Sequence, residues 1–286
     1  MSADIVQLLI RDRIAIITLN RPQQRNALSI EMRAMLARRL DEIDEHVRVI
    51  VLQGAGAAFC AGADLGDVPD SPMAWRDRIV TAQTQHLRII NMKQIVIASV
   101  QGAAFGGGVS LALAADILVL DEKATLGFPF VKLGVVPDGG ASFLLQAKTS
   151  PAVALDVLLT GGFIQADEAR ALGLTRRVAP AGELEARTMK LAEELASLPA
   201  EALQLTKSLC AQAWADHLPG ALRLTIATLA PSARYCSAML RPIPLPPPVI
   251  RATRPFSRSA EYMLVCLLEF HLRSRHGDPV PFRRRG

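Results

Sequence analysis

The stretch "VQGAAFGGGVSLALAADI" (residues 100–117) contains three consecutive glycines, Gly106, Gly107 and Gly108. They lie between the end of an apolar, β-branched run, which is typical of a buried strand, and a run rich in alanine and leucine, which is typical of a helix. Glycine is a poor residue for the interior of either element, but it allows close approach to the main chain. The junction therefore predicts a ligand held by backbone groups.

Further strands are predicted on both sides of this stretch. Residues 4–20 predict two strands joined by a tight turn. Buried strands are predicted by apolar, β-branched runs at 47–54, 95–102 and 116–121. Because loops or helical patterns separate the strands, the sequence predicts an α/β fold.

Helical patterns occupy much of the remaining sequence. Ser29 can cap a helix whose apolar residues recur at helical spacing. The chain from Asp167 to Trp214 reads as helical, with breaks at Gly173 and Pro180 and a new helix opening at Pro199.

Composition and charge exclude several classes of protein. Half of the 286 residues are apolar and 21% are charged, which is typical of a globular protein with a sizeable core. No apolar run is long enough for a membrane span, and the N-terminus has no basic leader. The cysteines lack metal-ligand spacing, so we expect a reduced, cytoplasmic protein without a metal site; they are Cys60, Cys210, Cys236 and Cys266.

The basic charge is concentrated at the C-terminal end. Residues 231–286 contain ten arginines, no lysine and three acidic residues, a net charge of +7, whereas residues 1–230 carry −2. The same segment holds nine of the eighteen prolines, and proline prevents 242–248 from continuing a helix. We therefore expect 241–256 to lack regular structure, and we expect no nucleic-acid face on the body of the protein.

Two motifs suggest a dinucleotide-binding site and a serine hydrolase, but the sequence fits neither well. "GAGAAFCAGADL" (54–65) has Phe59 where a dinucleotide-binding fingerprint needs its third glycine, and no helix follows directly. "GVSLA" (108–112) resembles the nucleophile elbow of a serine hydrolase, and His217 could serve as its histidine. Nothing around His217 suggests a catalytic loop, so Ser110 is better read as a small polar residue at a helix start.

Five ordered segments together resemble the enoyl-CoA hydratase/isomerase (crotonase) superfamily. The resemblance covers roughly residues 5–215, about three quarters of the chain, and any one segment alone would be weak. The segments are "NRPQQRNAL" (20–28), "AFCAGADL" (58–65), "VQGAAFGGGVSLALAADI" (100–117), "LGVVPDGGASFLL" (133–145) and "LTGGFIQADEARALGL" (159–174).

The resemblance implies a site for an acyl-CoA thioester. In the family two backbone N–H groups form an oxyanion hole around the thioester carbonyl, and the motifs map these onto Ala63 and Gly107. Unpaired amides at the start of a helix suit a developing negative charge. Coenzyme A would be part of the substrate and no separate cofactor is expected. The implied CoA-binding positions are Arg25, Ala27, Ala61, Asp64 and Leu65.

The resemblance also implies an architecture. It is a crotonase (ClpP-like) spiral of ββα units with a C-terminal helical region, assembled as a homotrimer or a dimer of trimers. The corresponding division is a spiral core over 1–198, a helical trimerisation region over 199–230 and an atypical Pro/Arg-rich tail over 231–286.

The reaction is indicated by three positions. Family members that hydrate enoyl-CoA use two glutamates, and the matching positions here are Ser110 and Phe130, neither of which can transfer protons near neutral pH. Asp138 in "GFPFVKLGVVPDGGAS" (127–142) matches the single acid of the Δ3,Δ2-enoyl-CoA isomerases, although "PDGG" alone would read as a turn. An isomerase acting through Asp138 is therefore expected. An enoyl-CoA hydratase and a degenerate acyl-CoA-binding protein remain alternatives.

Overall fold

The computed structural model describes residues 4–67 and 71–215, without the side chains of residues 72 and 212–215. It has the α/β class that the sequence predicts. The predicted tail at 231–286, and residues 216–230 of the predicted trimerisation region at 199–230, lie outside the described residues. The strands are β1 (Val6–Arg11), β2 (Ile14–Leu19), β3 (Val49–Gly54), β4 (Ile95–Val100), β5 (Ala103–Phe105), β6 (Ile117–Asp121), β7 (Thr125–Gly127), β8 (Phe163–Gln165) and β9 (Arg177–Ala179).

The helices are interspersed with the strands along the chain. Ser29 caps the first helix as predicted, because its hydroxyl accepts a hydrogen bond from the amide of Met32 at 3.1 Å. The α-helices are α1 (Ile30–Asp41), α2 (Pro72–Asn91), α3 (Gly107–Leu113), α4 (Ala141–Lys148), α5 (Pro151–Thr160), α6 (Ala166–Ala171), α7 (Leu184–Ser197) and α8 (Ala200–Ala215), with short 3-10 helices at Pro22–Gln24 and Pro129–Leu133.

The strands form two sheets. The larger has the order β1-β2-β3-β4-β6-β9, with β1 antiparallel to β2 and every other neighbour parallel. The smaller has the order β5-β7-β8. All six residues of β4 are buried, as expected for a parallel strand covered on both faces. One face of the sheet packs Val49, Val51 and Ile97 against α7, and the opposite face forms the main core.

One secondary-structure prediction is wrong. The chain from Asp167 to Trp214 was expected to be helical with breaks, but β9 lies within it and pairs in parallel with β6. A strand of three residues is too short to show a period of two in the sequence. Its conformation is set by pairing with the edge of the larger sheet.

Two loops and strand β5 converge where the chain passes from the larger sheet to the smaller one. Two isolated parallel bridges, Leu28 with Ala63 and Cys60 with Ala104, join the loop before α1, the loop after β3 and strand β5. The segment of three glycines, Gly106 to Gly108, follows β5 and leads directly into α3. Segments far apart in sequence therefore meet at the start of α3.

Candidate active site

The predicted CoA-binding residues lie on two adjacent loops. The amide of Ala61 donates to the carbonyl of Arg25 at 2.9 Å, and the amide of Leu28 donates to the carbonyl of Gly62 at 2.7 Å. These hydrogen bonds bring together the residues predicted from the sequence: Arg25, Ala27, Ala61, Asp64 and Leu65. Their contact with CoA stays a prediction.

The side chain of Asp64 is engaged within these loops. Its carboxylate accepts from Nη1 of Arg21 at 2.6 Å and from the amide of Gly66 at 3.0 Å. Burial alone would raise the pKa of Asp64, but the hydrogen bonds and the charge of Arg21 hold it below its ordinary value. Leu65 is 43% exposed, so the outer part of this loop is open to solvent.

The two predicted oxyanion-hole amides lie close together. A β-carbon built on Gly62 would lie 3.3 Å from the amide nitrogen of Gly107, and one built on Gly107 would lie 3.9 Å from that of Ala63. The Leu28–Ala63 bridge uses the amides of Leu28 and Asp64, and the first backbone hydrogen bond into α3 is donated by Ser110. Within the described ranges, the amides of Ala63 and Gly107 therefore keep no backbone partner, which suits them to polarise a carbonyl.

Each of the three consecutive glycines has its own structural reason. Gly106 has a φ of +51°, a conformation that side-chain-bearing residues rarely adopt. Gly107 faces the space beside the two amides. A β-carbon on Gly108 would overlap the carbonyl oxygen of Cys60, so this position allows α3 to pack against the neighbouring loop. Gly106 and Gly108 thus have conformational and packing reasons, and the ligand predicted beside Gly107 stays a prediction.

Asp138 lies in the loop that leads into α4, next to α3. The hydroxyl of Ser110 donates to the backbone carbonyl of Asp138 at 3.1 Å, which fixes this loop against α3. The carboxylate oxygen Oδ1 of Asp138 is buried without a hydrogen-bond partner in the described chain. Burial raises the pKa of Asp138, while the positive charge of Arg33 opposes that rise.

Two further polar side chains of this site were missed by the sequence analysis. Arg33 is 4% exposed and His86 is 2% exposed, on α1 and α2 respectively. Each lies on the apolar stripe of its helix: Arg33 precedes Leu36 and Leu40 at spacings of three and seven residues. A charged residue in such a stripe is the signal that could have identified Arg33.

His86 is neutral and has a defined tautomer. Its Nδ1 lies 2.8 Å from the carbonyl oxygen of Gly139, and since a carbonyl only accepts, Nδ1 carries the proton. Burial, together with the charge of Arg33, lowers the pKa of His86 to about 4. Its Nε2 is then a buried acceptor without a partner in this part of the chain.

The two positions that match the hydratase glutamates are buried and non-acidic. Ser110 is fully buried, and besides Asp138 its hydroxyl lies 3.2 Å from the carbonyl of Gly106. Phe130 is 4% exposed. No hydrogen bond joins Ser110 to His86 among the described residues, which gives no support to a serine hydrolase, and His217 lies outside the described ranges.

Other functional classes receive no support from the described residues. Among them, no group of three or more His, Cys, Asp or Glu side chains is arranged to hold a metal ion. None of the helices in residues 4–67 and 71–215 combines the length and apolar character that a membrane span requires.

Comparisons with known proteins agree with this geometry. The sequence model of the enoyl-CoA hydratase/isomerase family matches residues 10–230. A Thermus thermophilus protein named as an enoyl-CoA hydratase is 39% identical over 206 residues, covering 70% of this chain and 81% of its own. A Mycobacterium tuberculosis protein named as the enoyl-CoA hydratase echA8 is 34% identical over 208 residues, covering 72% and 80%.

Solved structures give the same result for the fold. An enoyl-CoA hydratase/isomerase from Mycobacterium paratuberculosis superposes with a TM-score of 0.75 at 28% identity, covering 80% of this chain and 93% of its own. A Thermobifida fusca protein described as an enoyl-CoA hydratase, solved in complex with acetoacetyl-CoA, superposes with a TM-score of 0.69 at 32% identity, covering 82% and 94%.

Fold and comparisons together define an α/β enzyme, in which the loops around Leu28 and Ala63 and the segment that contains Asp138 meet near α3. The chain belongs to the enoyl-CoA hydratase/isomerase family. The crotonase fold that the sequence predicts is confirmed by its structural relatives.

Proposed function

We propose that this enzyme moves the double bond of a 3-enoyl-CoA to the 2-position, with Asp138 as its only proton-transferring group. The observation that carries the proposal is the pairing of two facts. Both hydratase glutamate positions are non-acidic, and Asp138 has a buried, unpartnered Oδ1 and interacts electrostatically with Arg33, whose Nη2 lies near Gly107. One carboxylate is enough for isomerisation because the reaction has no net proton change.

The reaction would proceed in two proton transfers. The Asp138 carboxylate removes a proton from C2, and the electron pair moves into the thioester, leaving negative charge on its oxygen. The amides of Ala63 and Gly107 stabilise this dienolate oxygen. The same carboxyl group then returns the proton at C4, and the double bond lies between C2 and C3. A pKa raised by burial makes Asp138 a stronger base for the first transfer.

Acyl-CoA as the substrate is supported by the Thermobifida fusca relative, which was solved with acetoacetyl-CoA. We propose that the CoA part is held by the two adjacent loops joined by backbone hydrogen bonds, through Arg25, Ala27, Ala61, Asp64 and Leu65. Coenzyme A would enter as part of the substrate. A homotrimer or a dimer of trimers in the cytoplasm is the assembly and location that we propose, and light scattering of the purified protein tests the assembly.

The second candidate is enoyl-CoA hydratase, because the relatives carry that name. The deciding experiment follows ultraviolet absorbance with 3-enoyl-CoA and 2-enoyl-CoA side by side, using wild type, Asp138→Asn and the exposed control Asp156→Asn. We expect wild type and Asp156→Asn to isomerise 3-enoyl-CoA, and Asp138→Asn to lose about 100-fold or more of kcat, the scale of a lost general base.

Three outcomes would contradict the proposal. Rapid hydration of 2-enoyl-CoA by wild type would favour the hydratase. Isomerisation by Asp138→Asn at the wild-type rate would reduce Asp138 to a turn residue. Binding of both substrates with turnover of neither would indicate a degenerate acyl-CoA-binding protein.

A further inference from the structure

Arg33 is a buried cation with unused hydrogen-bonding capacity. It is 4% exposed, and its Nε is buried without a hydrogen-bond partner in the described chain. A buried charge without a partner is costly, so a sequence that retains one calls for an explanation. The explanation depends on what the guanidinium faces.

The guanidinium faces the two oxyanion amides. A β-carbon built on Gly107 would lie 3.3 Å from Nη2 of Arg33 and 3.9 Å from the amide nitrogen of Ala63. The same small volume is thus bordered by the guanidinium and by both candidate main-chain donors. We propose that Arg33 is a third, cationic donor to the anionic oxygen of the bound thioester, an inference that rests on the proposed function.

A purely structural role fits Arg33 less well than it fits Arg78. Arg78 is also buried, but its guanidinium donates to the carbonyls of Leu28, Asp64 and Asp67 and lies over the ring of Trp75. It therefore holds the 64–67 loop in place. No such set of acceptors surrounds Arg33 in the described ranges, and Arg33 forms no direct ion pair with Asp138 there.

The movement of charge during the reaction explains the position of Arg33. Before the first proton transfer, the negative charge lies on Asp138, close enough for its charge to act on Arg33. After the transfer, Asp138 is neutral and the negative charge lies on the thioester oxygen, beside Nη2. A cation bordering both places stays near the charge throughout. A charge-assisted hydrogen bond that strengthens as the oxygen becomes anionic lowers the barrier, because it favours the transition state over the bound substrate.

The test uses acetoacetyl-CoA, whose bound enolate has its own ultraviolet absorption band. The enolate fraction is measured against pH for wild type, Arg33→Met, Arg33→Lys and the exposed control Arg187→Met. We expect Arg33→Met to raise the apparent pKa of the bound ligand by about one unit or more, roughly tenfold less enolate at a fixed pH below that pKa. Arg33→Lys should restore part of the enolate, and Arg187→Met should match wild type. The affinity for CoA itself, which has no such carbonyl, should not change.

Several results would overturn the role of Arg33. A folded Arg33→Met that binds CoA normally and enolises acetoacetyl-CoA like wild type would do so. Wild type that binds acetoacetyl-CoA only as the keto form would do so as well. If neither variant folds or binds CoA, Arg33 is a structural residue and the proposal is wrong.

The experiment also separates this inference from the proposed function. If enolisation depends on Arg33 but wild type does not isomerise 3-enoyl-CoA, the cationic donor stands and the isomerase proposal fails. If wild type isomerises through Asp138 while enolisation does not depend on Arg33, the isomerase proposal stands and the role of Arg33 as a cationic donor fails.

Discussion

Two buried charged clusters of this protein differ in how completely their hydrogen bonds are made. The first, which we call the terminal cluster, consists of Asp116, Lys148 and Lys207. Asp116 accepts from Nζ of Lys207 and from the amide of Val96, at 2.8 and 2.7 Å. Lys207 also donates to the carbonyl of Gln94, and Lys148 donates to the carbonyl of Ala115, each at 2.8 Å.

The second, the site cluster, consists of Arg33, His86 and Asp138. Each contributes one buried side-chain atom without a hydrogen-bond partner, and among the described residues no other buried side-chain nitrogen or oxygen lacks one. Burial costs the charged groups of both clusters their hydration. Only in the terminal cluster do ion pairs and hydrogen bonds within the described chain offset that cost. The terminal cluster therefore has the completed hydrogen bonds of a structural cluster, whereas the site cluster keeps unpaired atoms for the ligand that we propose.

The largest expected effect concerns stability at the terminal cluster. Lys207→Met removes the ammonium that is hydrogen-bonded to the half-buried Asp116, which keeps only the charge of Lys148 nearby, so the free energy of unfolding should fall by about 3 kcal/mol. Urea unfolding measures it, with the same substitution at the exposed Lys190 as the control. Activity per folded molecule should be retained. Equal midpoints for Lys207→Met and Lys190→Met would remove the distinction between the clusters.

A smaller effect, on catalysis, is expected at the oxyanion amides. Gly107→Pro removes one N–H at the first position of α3, where proline is tolerated, and should lower kcat by about 100-fold or more. Gly107→Ala is the matched control, because it keeps the N–H while adding a similar β-carbon beside Arg33. The amide assignment fails if a folded Gly107→Pro turns over as fast as Gly107→Ala.

The smallest expected effect is a gain of stability at the site cluster. Burial raises the pKa of Asp138 in the folded protein, although Arg33 offsets part of the rise. The folded state then binds the proton more tightly than the unfolded state, so this group costs stability as pH rises above about 4, the ordinary carboxyl pKa. Asp138→Asn should be more stable than wild type at neutral pH and should lose that advantage near pH 4. Thermal unfolding across this range measures it, and a variant less stable than wild type at pH 7 would show that the charge supports the fold.

Much of the fold was accessible from the sequence because its strands are long and buried. The runs that became β3, β4 and β6 are continuous and apolar, which is the pattern of covered parallel strands. β9 was not accessible, since three residues carry no period and its partner lies some 58 residues away along the chain.

The site divides in the same way. Ala63, Gly107 and Asp138 could be proposed as site residues from the sequence because they lie in motifs whose order along the chain carries information. Arg33 and His86 lie in amphipathic helices with no motif of their own, and only packing of α1 and α2 against the glycine-rich loops brings them to the ligand space. Which polar residue on a helix is buried depends on what packs over it.

The position of Ala63 has a consequence for how this site withstands mutation. The contribution that we propose for it is a main-chain N–H, which every coded amino acid except proline supplies. Every substitution at this position other than proline therefore leaves the donor in place. Substitutions at two nearby glycines should disturb the site more. Gly62 has a φ of +95°, and a β-carbon on Gly108 would collide with Cys60. The donor that we propose at Ala63 therefore depends less on its own side chain than on the backbone conformation and packing of these glycines.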